Sequence, residues 1–321
     1  MRGGLDLGGT KIQAVVVDDR SQVLGKSRRP TPAEGGAPAV VEALEAALAE
    51  AAADAGVDPG TLEGVGVGSP GAVDARAGTV AEARNIPGWG DAAFPMAAAL
   101  GERIGVPVEL GNDVQVGVDA EYALGAGKDS SSLLGVFWGT GVGGGLILGG
   151  REWLGRGAAG EIGHMVVKVG GARCPCGRRG CMEAYAGRGA MEARARKLVD
   201  EGRETVLFEI MEERGRTRLQ SGIWSRALDR GDELAMELIE RAVEALGAGI
   251  ASAVNLLDVE TVVIGGGLGT RLGEPYVRRI REAMQPHLFV SERPPAVRLA
   301  ALGDLGGAIG AALLALRREA P

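Results

Sequence analysis

All three cysteines of this 321-residue chain fall inside one eight-residue stretch, CPCGRRGC, at Cys174, Cys176 and Cys181, and His164 lies ten residues upstream of the first. An odd number of thiols packed this closely is a poor disulfide framework and a good metal framework, and Cys3His is the closed donor set of structural zinc, Zn2+. Glu161 precedes His164 by one helical turn and Glu183 follows Cys181 by two residues, so a bound metal would gather both carboxylates beside one imidazole. A histidine with one ring nitrogen on zinc has the other fixed as a donor, and neighbouring carboxylates accept hydrogen bonds from vicinal hydroxyls. That combination suits recognition of a sugar. The competing reading makes Glu161 and Glu183 helix caps or supports for the metal ligands. His287 has no partner in the pattern and reads as a surface or packing residue.

A second chemistry is carried by glycine, 55 residues in all, concentrated in short tracts. Asp6 leads into Gly8, Gly9, Thr10 and Lys11, and half a chain later Gly139, Thr140 and Gly141 repeat the arrangement. Glycine turns offer backbone N–H groups to phosphate oxygens without side-chain bulk. Asp6 is placed to hold a Mg2+-bound water, with Thr10, Lys11 and Thr140 reaching phosphates. Either turn alone reads as a tight β-hairpin; the pair points to phosphates. No GxxxxGK[ST] occurs, and GTGVGG fits GxGxxG in form without its strand-then-helix context, which leaves a Rossmann dehydrogenase as a weak alternative. A third tract, Gly265, Gly266 and Gly267, ends a strand, where α/β proteins often receive a nucleotide. Asn112 and Asp113 follow the strand VPVEL, so Asp113 is a candidate base for a hydroxyl attacking phosphorus and Asn112 a holder of a neighbouring hydroxyl. Read alone, Asp113 is more simply a helix cap.

These residues need strand ends and turns to carry them. LDLGGTKIQAVVVDD predicts strand, turn and strand. Residues 39–55 are Ala/Leu/Glu-rich and predict a helix ended by Gly56. GVGVGSPGAVD predicts a buried strand running into the turn Ser69, Pro70 and Gly71. Helices are expected over 92–104 and 114–124, and 132–150 repeats the opening hairpin. Residues 189–257 predict helices broken near Gly202 and Gly231, TVVIGGGL a buried strand, and 306–318 a terminal helix. Alternating strands and helices define the α/β class, and the length suits two lobes with a cleft.

Composition closes other routes. The formal charge of −7 and pI near 5.2 oppose a general nucleic-acid or anionic-membrane binder. Aromatic residues are 3 %, too few for a base-stacking surface, so the core is expected to be Ala, Val, Leu and Ile. No apolar stretch reaches the ~20 residues of a membrane span, and the N-terminus does not read as a signal peptide; the expected location is the cytoplasm.

The motifs DLGGTK, GSPG, ARNIPGW, GND, GTGVGGG, GEIGH and CPCGRRGCME, in this order, resemble the ROK family of sugar kinases, most closely its bacterial glucokinases. The resemblance spans nearly the whole chain, and GH with the following CxCGxxGCxE is its most specific part. It implies a two-lobed actin-like fold (sugar kinase/Hsp70/actin) with a duplicated core and an interlobe cleft. The expected small lobe is 1–113 with about 304–321, and the large lobe 114–303. The implied reaction is ATP- and Mg2+-dependent transfer to a hexose, usually glucose at O6. Fructose, mannose or N-acetylmannosamine as acceptor, polyphosphate as donor, or a non-catalytic sugar-sensing regulator are the alternatives. By resemblance Asp113 is the base; Asn112, Glu161, His164 and Glu183 are sugar ligands; Asn85 and the turn with Ser69 and Gly71 line the same pocket. Gly9, Thr10, Lys11, Gly139, Thr140 and Gly141 match the ATP phosphate loops, and Gly265, Gly266 and Gly267 the nucleotide turn. Many relatives carry Ser where this chain has Gly187. The family's repressors place a helix-turn-helix ahead of the DLGGT-like segment, which here starts at residue 6, so a DNA-binding repressor is not expected. A homodimer or homotetramer is.

Overall fold

The computed structural model describes residues 1–83 and 86–316, which fall into two units: residues 1–125 with those from 302 onward, and residues 126–301. In the first unit the N-terminal hairpin is β1 (Arg2–Leu7) and β2 (Lys11–Val17), paired antiparallel. Val15, Val16, Val17 and Ile12 are fully buried, as β-branched residues on a two-sided sheet should be. β3 (Val23–Pro30) pairs with β2 and was not apparent in the sequence. It is an edge strand carrying Lys26, Arg28 and Arg29, without the apolar alternation that marks a half-buried strand.

α1 (Gly36–Ala55) buries Val40, Val41, Leu44, Ala47, Leu48 and Ala51 at helical spacing and ends at Gly56, whose φ of 72° is the left-handed cap expected of glycine. β4 (Val65–Ser69) then pairs parallel with β1, and a small hairpin, β5 (Ala72–Asp74) and β6 (Thr79–Ala81), follows it. α2 spans Met96–Ile104 rather than beginning at 92. Pro95 disfavours the helical region for the residue before it, and Phe94 instead bridges to Val80. β7 (Val108–Asn112) pairs parallel with β4 and runs directly into α3 (Asp113–Leu124). The sheet order is β3-β2-β1-β4-β7.

The second unit repeats this plan. β8 (Leu133–Trp138), β9 (Val142–Leu148) and the short β10 (Arg151–Glu152) form the antiparallel part. A knuckle over residues 161–182 leads into α4 (Glu183–Ala186) and α5 (Arg188–Asp200). α6 (Leu207–Glu213), α7 (Ser221–Asp229) and α8 (Glu233–Leu257) continue the helical stretch. Breaks occur at Gly202 and Gly231, with φ of 93° and 72°, and a further one, unexpected, follows α6 at Gly215. β11 (Thr261–Gly265) pairs parallel with β8; α9 (Gly266–Leu272), α10 (Glu274–Met284) and β12 (Ala296–Leu299) complete the order β10-β9-β8-β11-β12. Trp138 and Trp224 are the largest fully buried side chains of this unit's core, which is otherwise aliphatic.

The chain then returns to the first unit as α11 (Gly306–Leu314), packed on α3, β1 and β4. That packing keeps α3 in the first unit, so the division falls after Gly125 rather than after residue 113. The helix backbone lies so close to the sheet that Gly66 could not carry a Cβ: the added atom would stand 1.7 Å from the Ala311 carbonyl oxygen, and one on Gly4 would stand 2.0 Å from that of Ala308. Overpacking of this kind costs roughly 1–3 kcal/mol. Gly66→Ala is expected to lower unfolding free energy by about 2 kcal/mol or more in urea titrations; an unchanged midpoint would show that α11 can lift away without cost.

Candidate functional site

In the first unit the parallel strands end together. Ser69 is opposite Asn112 in the β4–β7 register and Asp6 opposite Gly68 in the β1–β4 register, so Asp6, Ser69, Asn112 and Asp113 line the carboxyl end of one sheet. In open α/β sheets this is the end that receives ligands. Asn112 is the N-cap of α3: its Oδ1 accepts from the N–H groups of Val114 and Gln115 at 3.0 and 3.2 Å. The N-cap position is thus Asn112, with Asp113 Oδ1 sharing the Val114 N–H at 3.0 Å, and Asn112 has its amide nitrogen for any hydroxyl. Ser69 is buried, its hydroxyl donating to the Pro70 carbonyl at 3.1 Å. Gly71, at φ 94°, holds the turn tight; a Cβ there would meet the Ala81 carbonyl oxygen at 2.4 Å. Asn85 lies outside the described residues.

The first glycine turn, residues 8–10, is closed by Gly8 N–H to the Lys11 carbonyl at 2.9 Å and tied to β3's end by the Thr31 hydroxyl on the Gly8 carbonyl at 2.6 Å. Lys11 Nζ lies 3.5 Å from Asp304 Oδ2. Burial first, and then the neighbouring Asp113 carboxylate, push the Asp6 carboxyl up to about 7 against the pull of Lys11. Carboxylates crowded at a strand end in this way are suited to a hard divalent cation, which removes the cost of ionising them together.

In the second unit, Gly139, Thr140 and Gly141 form the turn between β8 and β9. The segment after the cysteines is stitched to it. Trp138 Nε1 donates to the Ala186 carbonyl at 2.6 Å, Arg188 N–H to that of Gly139 at 3.1 Å, Gly189 N–H to that of Thr140 at 3.0 Å, and Val142 N–H to Glu183 Oε2 at 2.9 Å. Gly187 explains itself here: a Cβ would stand 2.8 Å from the Glu183 carbonyl oxygen and 3.4 Å from Gly141 Cα. The third glycine tract adjoins the same turn. A Cβ on Gly266 would lie 2.6 Å from backbone atoms of Trp138, and one on Gly139 would lie 3.9 Å from the Gly267 nitrogen.

Two residues not singled out from the sequence join this constellation. Arg188 Nη2 donates to Thr140 Oγ1 and Nη1 to Ser221 Oγ, both at 2.8 Å. Burial lowers the guanidinium's pKa from its ordinary value, opposed by Glu192. Its position five residues after Glu183 of CxCGxxGCxE was the available signal for Arg188; Ser221 begins a separate helix and carried none.

The metal-type residues come together. One ligand atom each from His164, Cys174, Cys176 and Cys181 lies within 4.8 Å of all the others. His164 Nδ1 is 3.8 Å from Cys174 Sγ, and Cys176 Sγ is 3.8 Å from Cys181 Sγ. Sulfurs at two corners of a tetrahedron with ~2.3 Å zinc–sulfur bonds stand about 3.8 Å apart, so the spacing fits zinc and excludes a disulfide. Burial pushes the Cys174 thiol up to about 12, whereas a backbone hydrogen bond from Arg178 pulls that of Cys176 down to about 7. A divalent cation would hold all three as thiolates. The knuckle depends on Gly180, at φ 81°, where a Cβ would meet the Lys168 carbonyl oxygen at 1.8 Å. Glu161 Oε2 lies 3.9 Å from His164 Nε2, the nitrogen turned away from the cluster, and Glu183 Oε1 lies 3.8 Å from Cys174 Sγ. His164, Glu161 and Glu183 are thus gathered around one knuckle.

Two sheets of the same order, each with a glycine turn between its first two strands, define the duplicated α/β plan of the actin-like fold. The ROK family model matches residues 2–318, and the chain belongs to the ROK family. It is 39 % identical to the ROK hexokinase of Thermus thermophilus, covering 98 % of this chain and 97 % of that one, with a TM-score of 0.78. It is 34 % identical to a ROK glucokinase of Streptomyces griseus in complex with glucose and AMPPNP, covering 98 % and 99 %, with a TM-score of 0.84. N-acetylmannosamine kinase of Haemophilus influenzae is 33 % identical over 96 % of this chain and 93 % of its own. No helix among the described residues is long and apolar enough to cross a membrane.

The Asp6 carboxyl supplies a test of the strand-end electrostatics. Because its pKa is raised when folded, the unfolded chain ionises first, and stability falls as pH rises from about 4 to about 7 and levels off above. In metal-free protein Asp6→Asn is expected to add stability that grows across this window, to at most about 4 kcal/mol. Equal gains at pH 5 and pH 8 in urea unfolding would refute the crowding.

Proposed function

We propose that this chain transfers the γ-phosphoryl group of MgATP to O6 of a hexose, with glucose as the preferred acceptor. The observation that carries the reading is the strand end where Asp113 follows β7 beside Asn112 and Ser69, with the crowded Asp6 on the adjacent strand pair. A carboxylate there is suited to take the proton of an attacking hydroxyl. The glucose and AMPPNP of the Streptomyces griseus relative support both substrates.

The roles follow from chemistry. As O6 bonds to the γ-phosphorus, its proton passes to Asp113, the bond to the β,γ-bridging oxygen breaks, and ADP leaves with the electron pair. Asp6 would hold Mg2+, which supplies charge neutralisation to the polyphosphate. The N–H groups of Gly9, Gly141, Gly266 and Gly267 receive the nucleotide, with Gly265 shaping the last turn and Gly139, whose N–H closes on the Gly141 carbonyl at 2.9 Å, shaping the second glycine turn. The Thr10 and Thr140 hydroxyls, Lys11, and Arg188 through Thr140 orient its phosphates. Asn85, Asn112, Glu161, His164 and Glu183 hold sugar hydroxyls, and Ser69 and Gly71 shape the turn beside them. Groups that each hydrogen-bond one hydroxyl separate epimers strongly, because the wrong one leaves partners unpaired.

The His164, Cys174, Cys176 and Cys181 set would hold one Zn2+, whose contribution is to fix the knuckle and the His164 tautomer. N-acetylmannosamine is the second acceptor to consider, on the strength of the Haemophilus influenzae relative.

In a coupled assay with MgATP, glucose is expected to yield glucose 6-phosphate, and Asp113→Asn to lower kcat by about 10^2-fold or more with little change in folding. Absence of product from glucose, with turnover of N-acetylmannosamine, would move the substrate to the second reading. Purified protein is expected to carry one zinc per chain, and Cys176→Ser with Cys181→Ser to abolish it. Chelation should weaken sugar binding before nucleotide binding; equal loss of both would reduce the metal to a global support.

A further inference from the structure

The knuckle has a second side. Behind it, between the cysteine loop, α5 and α8, lies a cavity of about 490 Å³ whose walls include Arg173, Arg194, Lys197 and Arg241. Not one of its lining residues is acidic, although the chain as a whole carries a formal charge of −7. Three carboxylates of the adjoining helices are engaged with other cations: Glu192 with Arg196 and Arg218, Glu237 with Arg203, and Glu240 with Arg279. Lys197 has a loose exposed partner in Glu201 at 3.7 Å, worth little in water. Arg194 and Arg241 are half-buried in the wall, whereas Arg173 and Lys197 are exposed at the mouth. The floor is apolar, with Met191 and Leu238 buried beneath it. Tyr185 stands on one side, its hydroxyl accepting from Ala172 N–H at 2.8 Å and its ring centroid 5.9 Å from the Arg241 guanidinium carbon.

We infer that this cavity is a binding site for a small organic phosphate, separate from the residues proposed for phosphotransfer. Guanidinium groups match phosphate oxygens in pairs, and a concave wall of half-buried guanidiniums strengthens that attraction relative to an open surface. The volume is that of a small-molecule site and larger than a bare ion needs, so the apolar floor and the Tyr185 ring take up the organic part. The site is placed to matter. Its wall is formed by Ala184, Tyr185, Gly189 and Ala190, and the same short segment presents Glu183 to Val142 N–H and Arg188 to Thr140 on its other face. An occupant therefore bears on the segment that holds the second glycine turn; the regulatory meaning of that contact rests on the phosphotransfer reading, but the binding does not.

The test is a calorimetric titration of the zinc-loaded full chain with phenyl phosphate, with inorganic phosphate and phenol as comparisons. Saturable binding at one site per chain is expected for phenyl phosphate, weaker binding for inorganic phosphate, and none for phenol. The Arg194→Gln/Arg241→Gln variant should bind phenyl phosphate about tenfold more weakly or worse, with zinc content and circular dichroism unchanged. Should that variant misfold, Arg173→Gln/Lys197→Gln at the mouth should give a smaller loss in the same direction. Saturating AMPPNP should leave the binding in place. Absence of saturable binding, equal affinity in both charge variants, or displacement by AMPPNP would each overturn the assignment. So would a change in sedimentation of the Arg194→Gln/Arg241→Gln variant without loss of binding, which would make this face a contact between copies of the chain.

Discussion

Four hydrogen bonds between residues 183–189 and the turn at 138–142 tie the segment after the cysteines to the second glycine turn. Two use main-chain N–H groups of the segment, one the Trp138 indole, and one the Glu183 carboxylate. Because Glu183 follows Cys181 so closely, any force that fixes the cysteine knuckle also fixes the turn. Ile162 and Met182 anchor the two ends of the knuckle in the core, but the cysteine loop between them, residues 172–181, has few apolar side chains and turns on the left-handed Gly177 and Gly180, so it has little apolar burial of its own to hold it. A metal is the economical source of rigidity in such a segment. With a metal bound, the arrangement would behave as one cooperative piece of cysteine loop, bridging carboxylate and glycine turn.

The first unit solves a related problem with no metal ligand set among its described residues. Its strand-end carboxylates are held close to one another by glycine-thin packing. Gly307 is close enough to Asp6 that a Cβ would stand 2.7 Å from its carboxyl carbon, and Gly68 sits against Val116 and Asp113. Such proximity is unfavourable for the isolated chain, and a cation bound there would relieve it.

Much of this was legible in the sequence for reasons that differ from residue to residue. The cysteines declared themselves by spacing, since their chemistry is local and needs no knowledge of the fold. The glycine turns showed as tracts, but whether each glycine served a ligand or a neighbouring strand was not readable; Gly66 and Gly266 turn out to answer to backbone atoms distant in sequence. Asn112 illustrates the opposite case, where a residue read for binding proves also to cap α3. β3 escaped notice because an edge strand with a charged face has no apolar period to detect. Arg188 and Ser221 escaped because their meaning lies in a meeting across 33 residues of sequence, and pattern reading sees only neighbours.

The position of α11 also sets an order of events. Residues 126–301 form their unit from one continuous stretch, whereas the first unit needs a helix encoded after residue 305 to cover β1 and β4. During synthesis the opening sheet therefore emerges with one face bare and stays so until almost the whole chain has left the ribosome. The half that is made first is completed last, and its exposed valine-rich strands are the part of the molecule that most needs protection from wrong partners while it waits.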